Sequence, residues 1–348
     1  TLTIHMITEF FMIAVSLAIA AVPEGLPAVV TICLALGMQE MVKRHALIRR
    51  LPAVETLGSA TVICSDKTGT LTQNQMTVTQ MSVLDHEYDL TGTGYSTRGE
   101  FKSESQSISV EKHPVLRQAL WAGLLCTDAV LEKSDGDADY RMVGDPTEGS
   151  LVVAAAKAGY WREDQERRYP RVAELPFDSD RKRMTTIHAL EDVADEDASP
   201  FRAGDAGYVA VVKGAPDIVL DHCTHAQGPE GPIALTEELR ERILKSNAGM
   251  ASQALRVLGV AYRPLSFIPA ELTPVEVEVN LIFIGLVGMI DPARPEVIPA
   301  IQKARGAGLR TVMVTGDYAA TAQAIANQIG VLRPGGRVVS GREIEAMS

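Results

Sequence analysis

From Phe10 to Gln39 the only charged side chain is Glu24. Thirty residues at about 1.5 Å each make roughly 45 Å of helix, more than the ~30 Å that a bilayer core requires. The run therefore predicts one membrane span continued by a protruding stalk, and a buried core helix is the competing reading. Lys43, Arg44, Arg49 and Arg50 follow the run, whereas only His5 and Glu9 precede it. By the positive-inside tendency, residues after about 42 are expected in the cytoplasm. The first residues show neither a basic leader nor a small-residue cleavage site of a secretory signal.

The run is interrupted by Pro23-Glu24-Gly25-Leu26-Pro27. Two prolines and a glycine break a helix and release carbonyl oxygens, and broken backbone at membrane depth is tolerated where it lines a site. An ionisable group there is a functional candidate, with a snorkelling glutamate as the alternative. Glu24 with the carbonyls of Ile19, Ala20 and Val22 forms a set of hard oxygen donors suited to calcium.

Beyond the span, residues 61–65 (TVICS) read as a short buried strand ending at Asp66. Past residue 281 strands and helices alternate: strands at 281–288 and 309–314, helices at 295–305, opened by Pro295, and at 319–329. Such βαβα order calls for a parallel sheet covered by helices. The intervening residues mix short strands, polar loops and helices, the latter at 113–133 and 147–159. We therefore expect an α/β chain in four parts: a membrane helix and stalk at 1–42, one sheet domain supplied by 43–75 and 291–348, and an α+β domain inserted at 76–290. The sheet domain is expected to be incomplete, because few of its strands lie within the sequence. Residues 191–197 (EDVADED) read as a solvated acidic loop.

The formal charge of -11 argues against nucleic acid as a main partner, since a phosphate backbone demands a basic face. Cys33, Cys64, Cys126 and Cys223 include no CxxC pair, so neither a zinc site nor a disulfide framework is indicated, and isolated buried thiols are expected.

The strongest chemical signal is Asp66-Lys67-Thr68-Gly69-Thr70-Leu71-Thr72. A carboxylate at the carboxyl end of a strand sits where open α/β sheets place ligands, and it can attack a phosphoryl group to split hydrolysis into two easier steps. Lys67 can offset phosphate charge, and Gly69 lets backbone approach it. The Asp66 carboxylate and the Thr68 carbonyl suit magnesium. Thr315-Gly316-Asp317 follows the strand expected at 309–314; its hydroxyl, amide and carboxylate can hold phosphoryl oxygens and metal, although Asp317 could equally cap a helix. In the insertion, Lys213-Gly214-Ala215-Pro216 follows a strand expected at 208–212, and a lysine beside a glycine can reach a triphosphate. No GxxxxGK[ST] loop is present, which excludes a P-loop mode of nucleotide binding.

Together the motifs PEGLP, LPAVETLG (51–58), DKTGTLT, KGAP and TGD resemble type II P-type cation-transporting ATPases, in family order along essentially the whole chain. The resemblance is strongest to calcium pumps of the sarco/endoplasmic-reticulum kind and their bacterial relatives. PEGLP departs from the PEGLL of sodium/potassium pumps, and the cysteine motif of heavy-metal pumps is absent. The resemblance implies a haloacid-dehalogenase-like phosphorylation domain, incomplete here, interrupted by a nucleotide-binding domain and preceded by one transmembrane helix. It implies ATP and Mg2+ as cofactors, phosphorylation of Asp66, and Ca2+ as the transported ion, with Mn2+ or Na+/K+ as alternatives. Phe177 would stack on adenine, Lys182 and Lys213 would supply positive charge, and Gly214, Glu148 and Arg256 would complete the pocket. Asp291-Pro292-Ala293-Arg294 resembles the family's DPPR hinge, with Ala293 in place of proline, which assigns Arg294 to the same site. Implied partners are the lipid bilayer, an actuator domain and further membrane helices, in a bacterial plasma membrane. A membrane-tethered dehalogenase-type phosphatase is the main alternative, but it needs an acidic residue where Thr68 stands. A nucleotide-binding module without catalysis is the other.

Overall fold

Proline and glycine cut the long apolar run in two. In a computed structural model describing residues 3–133, 140–190, 199–201, 206–316 and 319–347, helix α1 spans Ile4–Ala20 and α2 spans Leu26–Lys43. The apolar run over residues 10–39 is thus broken at the Pro23–Pro27 segment, where the two prolines and the glycine were expected to break it. Pro23 has no N–H to continue α1, so Val22 N–H closes a tight turn onto the Ile19 carbonyl, and Leu26 N–H turns back to Pro23. Pro27 sits in the first turn of α2, where a missing N–H costs nothing. Of the described helices only α2 is long and apolar enough to cross a membrane. Helix α3 (Leu51–Gly58) packs against α2. The chain divides into two compact units: Thr1–Ile63 with Ala304–Thr311, and Cys64–Lys303 with Val312–Ser348.

Strand β1 (Val62–Asp66) is followed by the inserted region. Its first strands are β2 (Thr77–Val83), β3 (His86–Leu90), β4 (Phe101–Ser103) and β5 (Gln106–Ile108). Helix α4 (Pro114–Leu125), the hairpin β6 (Val130–Lys133)–β7 (Tyr140–Val143), and helices α5 (Pro146–Lys157) and α6 (Arg162–Arg168) come next. Then follow β8 (Arg171–Asp178), β9 (Arg183–Ala189), β10 (Tyr208–Gly214), α7 (Pro216–Asp221), β11 (Cys223–Gly228) and β12 (Gly231–Ala234). Helix α8 (Glu237–Ser252), β13 (Arg256–Leu265), the short α9 (Pro274–Val277) and β14 (Leu281–Ile290) complete the region. Among the described residues the strands form one sheet in the order β5-β4-β3-β2-β14-β13-β10-β9-β8, with β11 and β12 continuing from β14.

Both faces of this sheet are covered. Leu116, Leu120 and Trp121 of α4 and Leu151 of α5 pack with Met81, Val211, Ile284 and Met289. Val219 and Leu220 of α7 and Leu239 and Ile243 of α8 pack with Val212, Phe283 and Leu286. Burial on both faces is why β14 reads as an unbroken apolar run. That run was expected in a parallel sheet with residues 309–314; it is instead antiparallel to β13 and β2, and parallel only to β11. A two-sided core selects continuous apolar strands whatever their direction, so the pattern carries no direction. The helix expected over 113–133 is also shorter: α4 ends at Leu125, and its apolar continuation is strand β6. Cys126 and Cys223 are buried in these cores, whereas Cys33 and Cys64 are exposed, against the expectation of buried thiols.

After β14 come α10 (Val297–Gly306), starting two residues beyond Pro295, then β15 (Arg310–Val314), α11 (Ala319–Gln328) and α12 (Gly341–Met347). Strand β15 pairs with β1, and Arg310 N–H donates to the Thr61 carbonyl at 2.9 Å, so the two strands enter the pairing at their first residues. Both were expected to be buried, yet Val62, Ile63, Val312 and Val314 are exposed, because among the described residues this sheet has two strands. A small core of Leu71, Val297, Ile301, Ile325 and Ile329 lies behind the loop that follows β1. The acidic run at 191–197 lies outside the described residues.

Candidate functional site

Asp66 ends β1 and is exposed; one carboxylate oxygen accepts the Thr68 N–H at 3.3 Å. Thr68 is extended and Gly69 left-handed (φ 72°), a conformation that glycine adopts without steric cost. The loop closes when Thr72 N–H donates to the Lys67 carbonyl at 3.0 Å, with Thr72 Oγ1 3.1 Å from the same oxygen. Lys67 is buried at the base of the loop, so only a fraction of its side chain faces solvent.

The far end of the loop is held by the segment that leaves β14. The buried Asp291 carboxylate accepts Thr72 Oγ1–H at 2.5 Å and Gln75 N–H at 3.1 Å. Arg294 donates from Nε to the Thr72 carbonyl at 3.1 Å and from Nη2 to the Gly69 carbonyl at 3.0 Å, while its own N–H meets the Leu71 carbonyl. The hinge-like motif thus fixes the curvature of the Asp66 loop. Arg294, expected with the nucleotide pocket, has these loop carbonyls as partners. Thr315 and Gly316 follow β15, the neighbour of β1, at the same strand ends as Asp66; Asp317 lies outside the described residues.

In the insertion, β10 runs two residues further than expected, so Lys213 and Gly214 belong to the strand. Lys213 is buried and its Nζ lies 2.6 Å from Glu148 Oε1; Glu148 Oε2 accepts the Asp128 and Ala129 N–H groups at 2.7 and 3.2 Å. Arg256, opening β13, donates to Thr147 Oγ1 beside Glu148 at 3.0 Å. Glu148, Lys213 and Arg256 therefore converge through their contacts. Gly214 faces the β8–β9 turn: a Cβ there would come within 2.5 Å of the Lys182 carbonyl and of Arg183 Cβ. That carbonyl accepts Ala215 N–H at 3.0 Å, which ties the turn bearing Lys182 to the end of β10. Phe177, near the end of β8, exposes 63% of its surface.

The β8–β9 turn is internally capped. Asp178 Oδ1 accepts the Arg181 and Asp180 N–H groups at 2.8 and 2.9 Å, and these bonds hold its carboxyl below the ordinary aspartate range. Beneath it lies Glu278, a residue that the sequence reading missed. Its carboxylate is fully buried and accepts Arg181 Nη1 at 2.5 Å, Arg183 Nε at 2.6 Å and Thr185 Oγ1 at 2.6 Å.

In the first unit, Glu24 and Val22 lie between α1 and α2. The Ile19 carbonyl is engaged by Val22 N–H, whereas the Ala20 and Val22 carbonyls accept no hydrogen bond from the described residues. Among the described residues no three His, Cys, Asp or Glu side chains gather as a metal cluster.

Sequence comparison places these features in one class. Residues 115–296 match the family of the P-type ATPase cytoplasmic domain N. The chain is 42% identical over 99% of its length to a calcium-transporting ATPase of Bacillus subtilis, and 43% identical over 97% to the cation-transporting ATPase pma1 of Synechocystis. A calcium-transporting ATPase 1 of Lactococcus lactis is 39% identical over 98% of the chain. The chain belongs to the P-type cation-transporting ATPase family. It spans 37%, 36% and 35% of the length of these three relatives.

Proposed function

We propose that the chain is the nucleotide-binding and phosphoryl-accepting portion of an ATP-driven calcium pump, with Asp66 as the nucleophile. The observation that carries this reading is the exposed Asp66 carboxylate at the end of β1, on a loop whose return is stapled by Asp291 and Arg294. A reacting carboxylate must be both accessible and held in one geometry. In this reading residues 43–75 and 291–348 contribute to a haloacid-dehalogenase-like phosphorylation domain, and residues 76–290 form the inserted nucleotide domain on the cytoplasmic side.

Asp66 attacks the terminal phosphorus of ATP; the new bond is aspartyl O–P, the bond broken is the β,γ-bridging P–O, and ADP leaves. Lys67, Thr315, Gly316 and Asp317 stabilise the charge on the transferred group. The Asp66 carboxylate and the Thr68 carbonyl are hard oxygen donors that fit magnesium, an ion that commonly completes its octahedron with water and substrate phosphate. Bound there, it would offset phosphoryl charge. Phe177 offers its exposed ring to adenine, and Lys182, Lys213, Gly214, Glu148 and Arg256 line the same pocket. Glu24, with the unengaged carbonyls of Ala20 and Val22, supplies part of the site for the transported ion. The names of the B. subtilis and L. lactis relatives support calcium over manganese, sodium or potassium.

The test is the Asp66→Asn substitution in the full-length protein. Acid-stable label from terminally labelled ATP should vanish while ATP binding persists. Label that still attaches to the variant refutes the nucleophile assignment. Labelling that responds to potassium but not to calcium overturns the ion.

A further inference from the structure

Phe177 stands just before the four-residue β8–β9 turn and Lys182 closes it, and what holds that turn lies ninety-odd residues further along the chain. Glu278 caps the one-turn helix α9, its N–H bonded to the Pro274 carbonyl at 2.8 Å. From there its fully buried carboxylate reaches under the β8–β9 hairpin. It collects Arg181, Arg183 and Thr185, one charged or polar group from the turn and two from the strand that follows. Arg181 then spans the turn, donating from Nη2 to the Pro176 carbonyl at 2.6 Å, and Arg183 Nη1 donates to the Arg181 carbonyl at 3.1 Å. Lys182 lies between these two arginines with a left-handed backbone (φ 53°), uncommon for a non-glycine residue and retained where surroundings over-determine it.

We propose that Glu278 is a positioning residue for nucleotide binding: through Arg181 and Arg183 it sets the turn so that the Phe177 ring and the Lys182 ammonium face one ligand. The inference rests on the pocket reading given above. A buried carboxylate between two guanidiniums is a stiff element, because both guanidiniums lose their counter-charge if the carboxylate departs. The arginines are spent on the carboxylate and on loop carbonyls, which leaves Lys182 as the turn's outward cation. A nucleoside triphosphate, with a flat base and an anionic tail, is the ligand chemistry that a ring and an ammonium at the two ends of one turn recognise.

The experiment uses the full 348-residue chain in detergent, with displacement of a fluorescent ATP analogue by ATP and amide exchange as readouts. Glu278→Gln should weaken ATP about tenfold and speed exchange at Asp180, Arg181 and Lys182. In a Phe177→Ala/Lys182→Ala background the same change should alter affinity less than about twofold, which a general loss of structure would not spare. Thr185→Val, which removes one neutral bond, serves if Glu278→Gln fails to fold, with the same signs and a smaller effect. If Phe177→Ala and Lys182→Ala weaken binding while Glu278→Gln and Thr185→Val leave affinity and exchange unchanged, the positioning role is wrong and the pocket stands. If neither Phe177→Ala nor Lys182→Ala affects ATP binding, the pocket reading and this inference fall together.

Discussion

Lys213 Nζ sits 2.6 Å from Glu148 Oε1, with only 7% and 14% of the two side chains exposed. A buried pair of this kind contributes little net stability, yet losing one partner strands the other charge, at a cost of about 3–5 kcal/mol. Glu148→Gln should therefore lower the unfolding midpoint sharply, since the amide keeps acceptors for Asp128 and Ala129 but no charge for Lys213. Adding Lys213→Met should restore most of the midpoint. ATP affinity should stay low in the double variant, because the proposed pocket has lost one of its cations. Restored affinity would show that Lys213 serves packing alone.

Gly214 offers a steric test at the other wall of the pocket. A methyl there would lie 2.5 Å from the Lys182 carbonyl and from Arg183 Cβ, both on backbone-fixed positions. Gly214→Ala should cost about 1–3 kcal/mol by overpacking and push the turn away from Ala215, whose N–H bonds that carbonyl. Thermal unfolding and ATP binding should fall together. An unchanged affinity at a lowered midpoint would separate the turn from the ligand.

The motifs proposed to meet ligands stand out in the sequence because each carries a chemical demand within a few consecutive residues: Asp66 before a glycine loop, Lys213 before Gly214, Phe177 before a capped turn. What escaped was whatever depends on a distant segment. Residues 275–279 alternate valine and glutamate, and alternation assigns Val275 and Val277 to one face and Glu276 and Glu278 to the other. The fold inverts this: Val275 is 79% exposed, while Val277 and Glu278 are fully buried. Two arginines about ninety-five residues earlier decide it, and no local pattern encodes them. Likewise Arg294 resembles a ligand residue in sequence but has the Gly69 and Thr72 carbonyls as partners, visible only once β14 delivers it to the loop.

Burial of His188 in β9 predicts acid sensitivity for the sheet that contains it. Its ring is buried, with Nδ1 2.8 Å from the Tyr169 carbonyl and Nε2 2.9 Å from Thr186 Oγ1, and burial pushes its pKa from 6.5 down to about 4. The folded state therefore prefers the neutral ring. Its contribution to stability is present above pH 6.5 and is lost as pH falls towards 4, at up to about 1.4 kcal/mol per pH unit. Unfolding of the wild type should steepen with acid over that window relative to His188→Gln, and the two should run parallel from pH 7 to 8. Parallel curves throughout the window would mean that the ring is already charged in the fold.

Asp291 ties the segment that leaves β14 to the Asp66 loop. It is the first residue after β14, and its carboxylate takes both Thr72 Oγ1–H and Gln75 N–H, so the two chain crossings between the Asp66 loop and the insertion are tied by one side chain. Thr72 in turn closes the loop through its N–H on the Lys67 carbonyl. Releasing Asp291 loosens the return of the loop but touches none of Phe177, Lys182 or Lys213. Asp291→Ala in the full-length protein should thus lower the rate of phosphoryl transfer to Asp66 by about tenfold to a hundredfold, the order expected for misplacement of a reacting group. ATP affinity should change less than about twofold. Thr72→Ala, which loses the side-chain link but leaves the Thr72 N–H bonded to Lys67, should show a smaller drop of the same kind. A variant that loses ATP affinity and transfer equally would place Asp291 in the stability of the insertion instead of the geometry of the loop.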